Sequence, residues 1–269
     1  MFVSTDSGAA IIPAAIADSG RRIVLQGERL FDYRDVLAAG DENALRRAWG
    51  ELASLGLPMS VAAVRSSVVE HWHGLGLTAF TRAPQVRRAE ITPEEFEASH
   101  RRLGRLLRRC NRSGVTISRS DGRESKFLRW IYEQKALQFA SKKDNIFANE
   151  RRIEFLVGAA AMRPHRCDIY SMQMKDKVIA ALVTFRDRSV RRFYTTYFNQ
   201  EWAKESPGQV LTYEVTRQSL IEGLDCDYMT GEQQHKTRLA TSGVPLFRVE
   251  ADSEMLVQAS LDPVSQNVA

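Results

Sequence analysis

The chain is poor in the residues that would staple it together or load it with metal. It has three cysteines among 269 residues, Cys110, Cys167 and Cys226, odd in number and widely spaced. That rules out a disulfide framework and a paired cysteine metal site, and it suits a reducing compartment. No stretch reaches the ~18–20 apolar residues of a membrane-spanning helix. The first residues lack a secretion signal's pattern. Asp6 precedes the apolar run, no basic segment leads it, and Pro13 and Asp18 interrupt it, so a cytoplasmic location is expected. There is no Walker-type glycine loop, no zinc pattern and no internal repeat.

What is present is ordinary for a globular protein: 43% hydrophobic and 26% charged residues, enough for one large domain or two modest ones. The formal net charge is +5, and arginine far outnumbers lysine. That balance suits phosphorylated ligands, RNA or an acidic surface, and equally a solvated basic exterior.

The most informative stretch runs from Val190 to Leu239. It reads as a strand, a loop closing on Ser206-Pro207-Gly208, a helix, a short strand and a second helix. Ser206 has the chemistry of an N-cap, and Pro207 suits the first helical position, where no N–H is lost. Gly208 leaves the backbone open to a ligand. A helix start of this kind is an anion site by virtue of its free N–H groups and dipole, or simply a capped helix. Further on, a helix opening near Glu232 places Glu232 and Lys236 on one face, with His235 one residue round. An imidazole there suits proton transfer at neutral pH. The same residues read equally as a surface ion pair beside an incidental histidine.

Around this core the pattern predicts short strands at Ile11–Ala17 and Arg22–Gly27, then a helix from Asp41 to Leu55 carrying Leu45, Ala48, Trp49 and Leu52. After a linker, Ile91 to Arg112 reads as one basic helical segment with a Thr92/Glu95 capping box. Leu103, Leu106, Leu107 and Cys110 form its apolar stripe; Arg101, Arg105, Arg108 and Arg112 form a second stripe, a phosphate-contacting face or a solvated one. No aromatics interleave these arginines, which argues against single-strand stacking. A strand at Gly114–Ser118, helices at Arg123–Ala140 and Ala148–Met162, and a meander of three strands between Asp168 and Asn199 complete the order. Phe155, Ala159 and Met162 are expected to seed the apolar face of the second helix. From Asp252 the chain is polar, with a last strand possible in pattern at Met255–Val257. His71-Trp72-His73 lacks a third ligand and reads as structural, so no metal is expected. Asp227 closes its strand through a hydrogen bond or acts in catalysis. Tyr194, Thr196, Tyr197 and Phe198 line a cleft or the core.

The segment Ser206-Pro207-Gly208, Leu211, Gly223, Asp227-Tyr228-Met229, Gly231-Glu232 and Lys236 resembles the CelD/BcsL branch of the GNAT acetyltransferases, relatives of the FemAB peptidyltransferases. His235 stands where that pattern has tyrosine. The likeness covers about residues 90 to 250, and more faintly 10 to 60, including Phe31–Leu37. The resemblance implies an α/β (α+β) fold, a mixed and mostly antiparallel sheet flanked by helices. It also implies an incomplete first GNAT-like half over 1–85, a GNAT-like domain over 86–251 and a tail over 252–269. Apolar surface left by the incomplete half would favour association, including a homo-oligomer.

The function implied is transfer of an acetyl or other acyl group from acyl-CoA, without metal, to an amine or hydroxyl on a small-molecule or saccharide acceptor, as in exopolysaccharide biosynthesis. Ser206, Pro207, Gly208, Gln209 and Val210 would hold the donor pyrophosphate, and Glu232, His235 and Lys236 would supply acid and base. Free N–H groups on the splayed strand would receive the oxyanion. Two alternatives share the fold: a FemAB-like transferase using aminoacyl-tRNA, and a non-catalytic binding module.

Overall fold

The computed structural model describes residues 1–28, 30–142 and 145–261. In chain order the elements are β1 (Phe2–Ser4), β2 (Gly8–Ile11), β3 (Ala14–Ala17), β4 (Arg22–Leu25), β5 (Leu37–Gly40), α1 (Asn43–Ala53), β6 (Met59–Arg65) and β7 (Gly76–Val86). They continue as α2 (Pro93–Ser99), α3 (Arg101–Arg112), β8 (Val115–Asp121), α4 (Ser125–Gln138), α5 (Glu150–Met162), β9 (Cys167–Met174), β10 (Lys177–Asp187) and β11 (Val190–Phe198). The last are α6 (Pro207–Ile221), β12 (Asp225–Asp227), α7 (Gln234–Thr237), β13 (Ser242–Ala251) and α8 (Ser253–Ser260). The fold is the expected mixed α/β one, with a mostly antiparallel sheet flanked by helices.

The chain forms two compact units. The first comprises Met1–Ala83 and Val244–Ala269. Its β3 and β4 make a hairpin whose turn puts Asp18, Ser19 and Gly20 in left-handed backbone, which Gly20 and Asp18 adopt most readily. Helix α1 buries Leu45, Ala48, Trp49 and Leu52, the predicted stripe, and Trp49 packs on the fully buried Trp72 at 5.4 Å. The predicted last strand at Met255–Val257 is instead part of α8. Asp252 caps it by accepting from Met255 N–H, and its Leu256 joins the core. Residues 262–269 of the predicted tail lie outside the described ones.

The second unit, Pro84–Gly243, carries the strand order β7-β12-β11-β10-β9-β8, with the last residues of β7 pairing with β12. β9, β10 and β11 are the predicted meander, and the tight turns between them place Lys175 and Arg188 in left-handed backbone. The single predicted helix over 91–112 is broken. The Thr92/Glu95 capping box forms, but His100 leaves helical geometry (φ −115°, ψ 37°) and separates α2 from α3. In α5 the buried face is Ile153, Leu156 and Ala160. Phe155 and Met162, predicted inward, are 51% and 85% exposed, because the true stripe is rotated round the helix. The core of this unit gathers Phe96, Tyr170, Leu182, Leu211, Tyr213 and Tyr228 beneath α6.

Candidate active site

The site begins where two strands part. β11 and β12 run parallel through Val190↔Asp225, Arg191↔Cys226 and Arg192↔Asp227, and the pairing stops there while β11 runs on to Phe198. The divergence has a local cause. Asp227, nearly fully buried, accepts from Met229 N–H at 2.8 Å, and Met229 is left-handed (φ 63°), so the chain turns out of the sheet. Of the two readings open for Asp227, the structure displays the hydrogen bond at the strand end.

A bulge aims the free part of β11. Val183 pairs with Thr195 and Thr184 with Phe193, which leaves Tyr194 as an extra residue. Before it, Arg191 reaches α6 through Ser219 Oγ at 2.7 Å, and Phe193 packs edge-on to Tyr228 at 5.0 Å. Strict alternation would next present Thr195 and Tyr197 to α6. The extra residue presents Thr196 and Phe198 instead, and Tyr197 turns to Trp130 of α4 at 5.2 Å. On the other edge Asn199 N–H donates to Ile179 O at 2.9 Å. By alternation, the N–H groups of Thr196 and Phe198 point away from β10, toward the side that β12 has vacated.

The start of α6 abuts this opening. Pro207 is its first residue, as predicted, but Ser206 does not cap it. Ser206 is itself left-handed (φ 52°), because the 3-10 turn Gln200–Glu205 runs directly into the helix, and its hydroxyl makes no cap bond. Its main chain is fully engaged: the N–H donates to Ala203 O, and the carbonyl receives Gln209 and Val210 N–H at 3.0 and 3.1 Å. Pro207 has no N–H. Among the described residues, the unpartnered donor of the first turn is therefore Gly208 N–H, supported by the positive helix end. The space beside the Gly208 Cα belongs to β11. An added Cβ would stand 3.4 Å from Thr196 Cγ2 and 3.5 Å from Phe198 Cδ1, ordinary contact distances, so a methyl group fits there and a larger side chain presses on β11.

Gln209, exposed on the same turn, lines a cleft of about 280 Å³ together with His100, Arg102, Leu103, His235 and Arg238. The structure thus brings together one predicted donor-site residue and one predicted acid–base residue, 26 positions apart in sequence. Burial, and then the charge of Lys236, lower the pKa of His235 from its ordinary 6.5, so the ring is a neutral base at pH 7. Its predicted companions lie differently. α7 spans just Gln234–Thr237, so Glu232 sits ahead of it, exposed, and the predicted shared helical face is not formed. Gly231, at φ 93°, delays the helix. Lys236 Nζ donates to Thr230 O at 2.7 Å and braces that loop.

His100, Arg102 and Arg238 were not singled out from sequence as cleft residues. The break at His100 carries no glycine or proline. What holds it is tertiary: its ring nitrogens face Phe96 O at 2.8 Å and Arg238 O at 3.0 Å, and the ring packs on Phe96 at 4.4 Å. At His71-Trp72-His73 the buried anchor is Trp72. No group of three His, Cys, Asp or Glu among the described residues is placed to hold a metal. The three cysteines are free, and burial pushes the thiols of Cys167 and Cys226 up to about 12. No helix among the described residues is long and apolar enough to cross a membrane.

The sequence profile of the acetyltransferase (GNAT) domain matches residues 98–237, which lie wholly within the second unit. Several solved structures share the fold. The C-terminal domain of a putative lysylphosphatidylglycerol synthetase from Agrobacterium fabrum superposes with a TM-score of 0.68 at 10% identity, covering 96% of this chain and 85% of that one. L-PGS from Bacillus licheniformis gives 0.61 at 10% identity, with coverages of 96% and 87%. FemX gives 0.59 at 10% identity, with 99% and 89%. No curated protein sequence matches the chain.

Proposed function

Because the chain belongs to the acetyltransferase (GNAT) domain family, we propose that it moves an acetyl or other acyl group from acyl-CoA, held where β11 and β12 part, to an amine or hydroxyl acceptor reached from the cleft that Gln209 and His235 line. The observation that carries this reading is the convergence at one place of three features: strands that part after Arg192↔Asp227, a bulge that aims Thr196 and Phe198, and the unpartnered Gly208 N–H at a helix start. A helix end with a free donor favours the donor's pyrophosphate. Ser206, Pro207, Gln209 and Val210 shape that turn, and Gln209 carries it to the cleft.

In the transfer, the acceptor nitrogen or oxygen bonds to the acyl carbon, and the carbonyl electrons move to oxygen. The N–H groups of Thr196 and Phe198 face the vacated edge and suit that oxyanion. His235, neutral at pH 7, takes the acceptor's proton directly or through a water; the sulfur then leaves with its electron pair. Lys236 acts on His235 through its charge and by bracing the loop at Thr230, and Glu232, ahead of α7, completes the proposed acid–base set from the solvent side. No metal is required by this scheme. We place the protein in the cytoplasm, with a small molecule or saccharide as acceptor, an amino sugar of exopolysaccharide synthesis in the CelD/BcsL manner being one example.

The test is calorimetric titration with acetyl-CoA and CoA, on the wild type and on Gln209→Glu. That substitution adds a carboxylate beside the proposed pyrophosphate site at an exposed first-turn position where helices accept it. Micromolar binding, weakened tenfold or more in the variant, supports the reading. No binding to the wild type sinks it.

A second reading, aminoacyl-tRNA as donor, is favoured by α3. Arg101, Arg102, Arg105, Arg108, Arg109 and Arg112 are exposed, and Arg102 lines the cleft. Retention of tRNA that falls steeply with salt, without CoA binding, would select it.

A further inference from the structure

Two lysines of the second unit share one aromatic ring beside the open edge of β11. Lys135 Nζ stands 4.2 Å from the centroid of Phe139, and Lys142 Nζ 4.3 Å. The arrangement is built in. Phe139 N–H closes the helix onto Lys135 O at 3.0 Å, and Lys142 N–H donates to Phe139 O at 2.8 Å, so the chain folds both lysines back over the ring between them. Phe139 contacts Phe147 at 6.5 Å, and Phe147 stacks on the buried Tyr132 at 5.4 Å. Asn145 Nδ2 ties the returning chain to Ala136 O at 2.8 Å.

Two ammonium groups are thus held close together, and neither pairs with a carboxylate among the described residues. The shared ring provides each cation with a modest cation–π attraction and does nothing to relieve their mutual repulsion. The consequence shows on Lys135, which burial, and then the charge of Lys142, lower to about 8. A dianion or monoanion seated between them would relieve both effects at once.

The position ties this pair to the transfer cleft. Gln138, one helical turn from Lys135, donates from Nε2 to Phe198 O at 2.7 Å, at the free end of β11. Trp130 of the same helix contacts Tyr197. Helix α4 therefore lies against the free end of β11, on the face opposite α6, with Lys135 one turn from the Gln138 contact and Lys142 just beyond the helix.

We propose that Lys135 and Lys142 bind an anionic group, a phosphate or a carboxylate, carried by the acceptor. The claim deepens the acyl-transfer reading and rests on it for the word acceptor; the anion site itself stands apart from it. It names the substrate class as a phosphorylated or carboxylated amine or alcohol.

The experiment uses the whole chain, labelled with ¹³Cε-lysine and titrated by NMR with inorganic phosphate and, separately, with acetate. The Lys135 and Lys142 signals, assigned from Lys135→Met and Lys142→Gln, are expected to shift saturably. Lys135→Met keeps an unbranched stem on the ring, so the fold is retained. Each substitution should weaken phosphate at least tenfold at the remaining lysine. Saturation by phosphate alone identifies a phosphorylated acceptor, and saturation by both anions admits a carboxylate. Shifts that stay linear with salt for both lysines overturn the site. Calorimetry of CoA on Lys135→Met/Lys142→Gln runs alongside. Unchanged CoA affinity with lost phosphate binding places the site on the acceptor side, whereas a parallel loss of both assigns the lysines to the donor and overturns the proposal. Phosphate binding in a protein that never binds CoA would leave the anion site and remove the acyl-CoA reading.

Discussion

The guanidinium of Arg191, fully buried on β11, donates to Asp168 on β9 at 3.0 Å and ties the middle of the sheet to the end of α6. The same Nη2 reaches Glu222 at 2.9 Å, and Nη1 reaches Ser219. Arg119 closes the group by pairing with both Asp168 and Glu222, and the Tyr170 ring lies under both guanidiniums. Two cations and two carboxylates make a neutral cluster, so deleting one member leaves a net charge where water is scarce.

Arg191→Met should accordingly destabilise the protein by about 3 kcal/mol, toward the lower end of what breaking a buried pair costs, because Arg119 still faces Asp168. Asp168→Leu should cost a similar amount. The double variant, neutral again, should cost clearly less than the sum, with a coupling above ~0.5 kcal/mol in urea unfolding. Additive losses would show that the cluster is merely packed, not electrically linked.

Gly208 and Gln209 are neighbours with opposite expected behaviour. Gly208→Val drives a branched side chain at Thr196 and Phe198, and overpacking of that kind costs about 1–3 kcal/mol. Gln209→Glu touches solvent and should leave stability within about 0.5 kcal/mol, since an acidic residue suits the first turn of a helix. Thermal unfolding of the pair separates them. A stable Gly208→Val would mean that the helix does not lean on β11 there.

The element order of the second unit was legible because its signals are local: Pro207 at a helix start, Gly223 after the helix end, turn residues between alternating strands. Helix α1 was legible for the same reason, its stripe of Leu45, Ala48, Trp49 and Leu52 falling on one face. What sequence missed depends on partners far along the chain. The break at His100 is held by Arg238, and the bulge at Tyr194 shows only in the register with β10. Ser206 has the right side chain for a cap, yet the preceding 3-10 turn sets its φ and takes that role away. In α5, Phe155 and Met162 are large enough to look like core, while the smaller Ala160 faces inward. Of the acid–base trio, His235 reaches the cleft because α7, short as it is, starts at Gln234, which leaves Glu232 outside.

His235 gives the acyl-transfer reading a pH signature. Its pKa lies below 6.5, through burial first and Lys236 second. As general base it works when unprotonated, so kcat/KM should be flat near pH 7 and fall on the acid side below pH 6.5. Lys236→Gln removes a positive neighbour, and the acid limb should move to higher pH. His235→Ala should lower kcat by about 10²–10⁴-fold with a smaller change in KM. An acid limb that stays put in Lys236→Gln would separate the limb from His235.

Lys135 should give up its proton well below the ordinary lysine range. Its pKa of about 8, set by burial and by Lys142, means that half of it is neutral in mildly basic solution, where ordinary lysines are fully charged. Lys142→Gln removes the repelling charge, so the Lys135 midpoint should rise, and ¹³Cε chemical shifts followed against pH read it directly. The sign for stability follows from linkage. Between pH 8 and the ordinary lysine value of 10.5 the unfolded chain holds the proton that the folded Lys135 has released. The contribution of this residue to stability therefore rises with pH across that window and is lost as pH falls through it. An anion seated on the pair reverses the shift, because it favours the charged forms: saturating phosphate should raise the Lys135 midpoint in the wild type and have little effect in Lys142→Gln. A midpoint indifferent to phosphate in both proteins would mean that the two ammonium groups meet on Phe139 without a ligand between them.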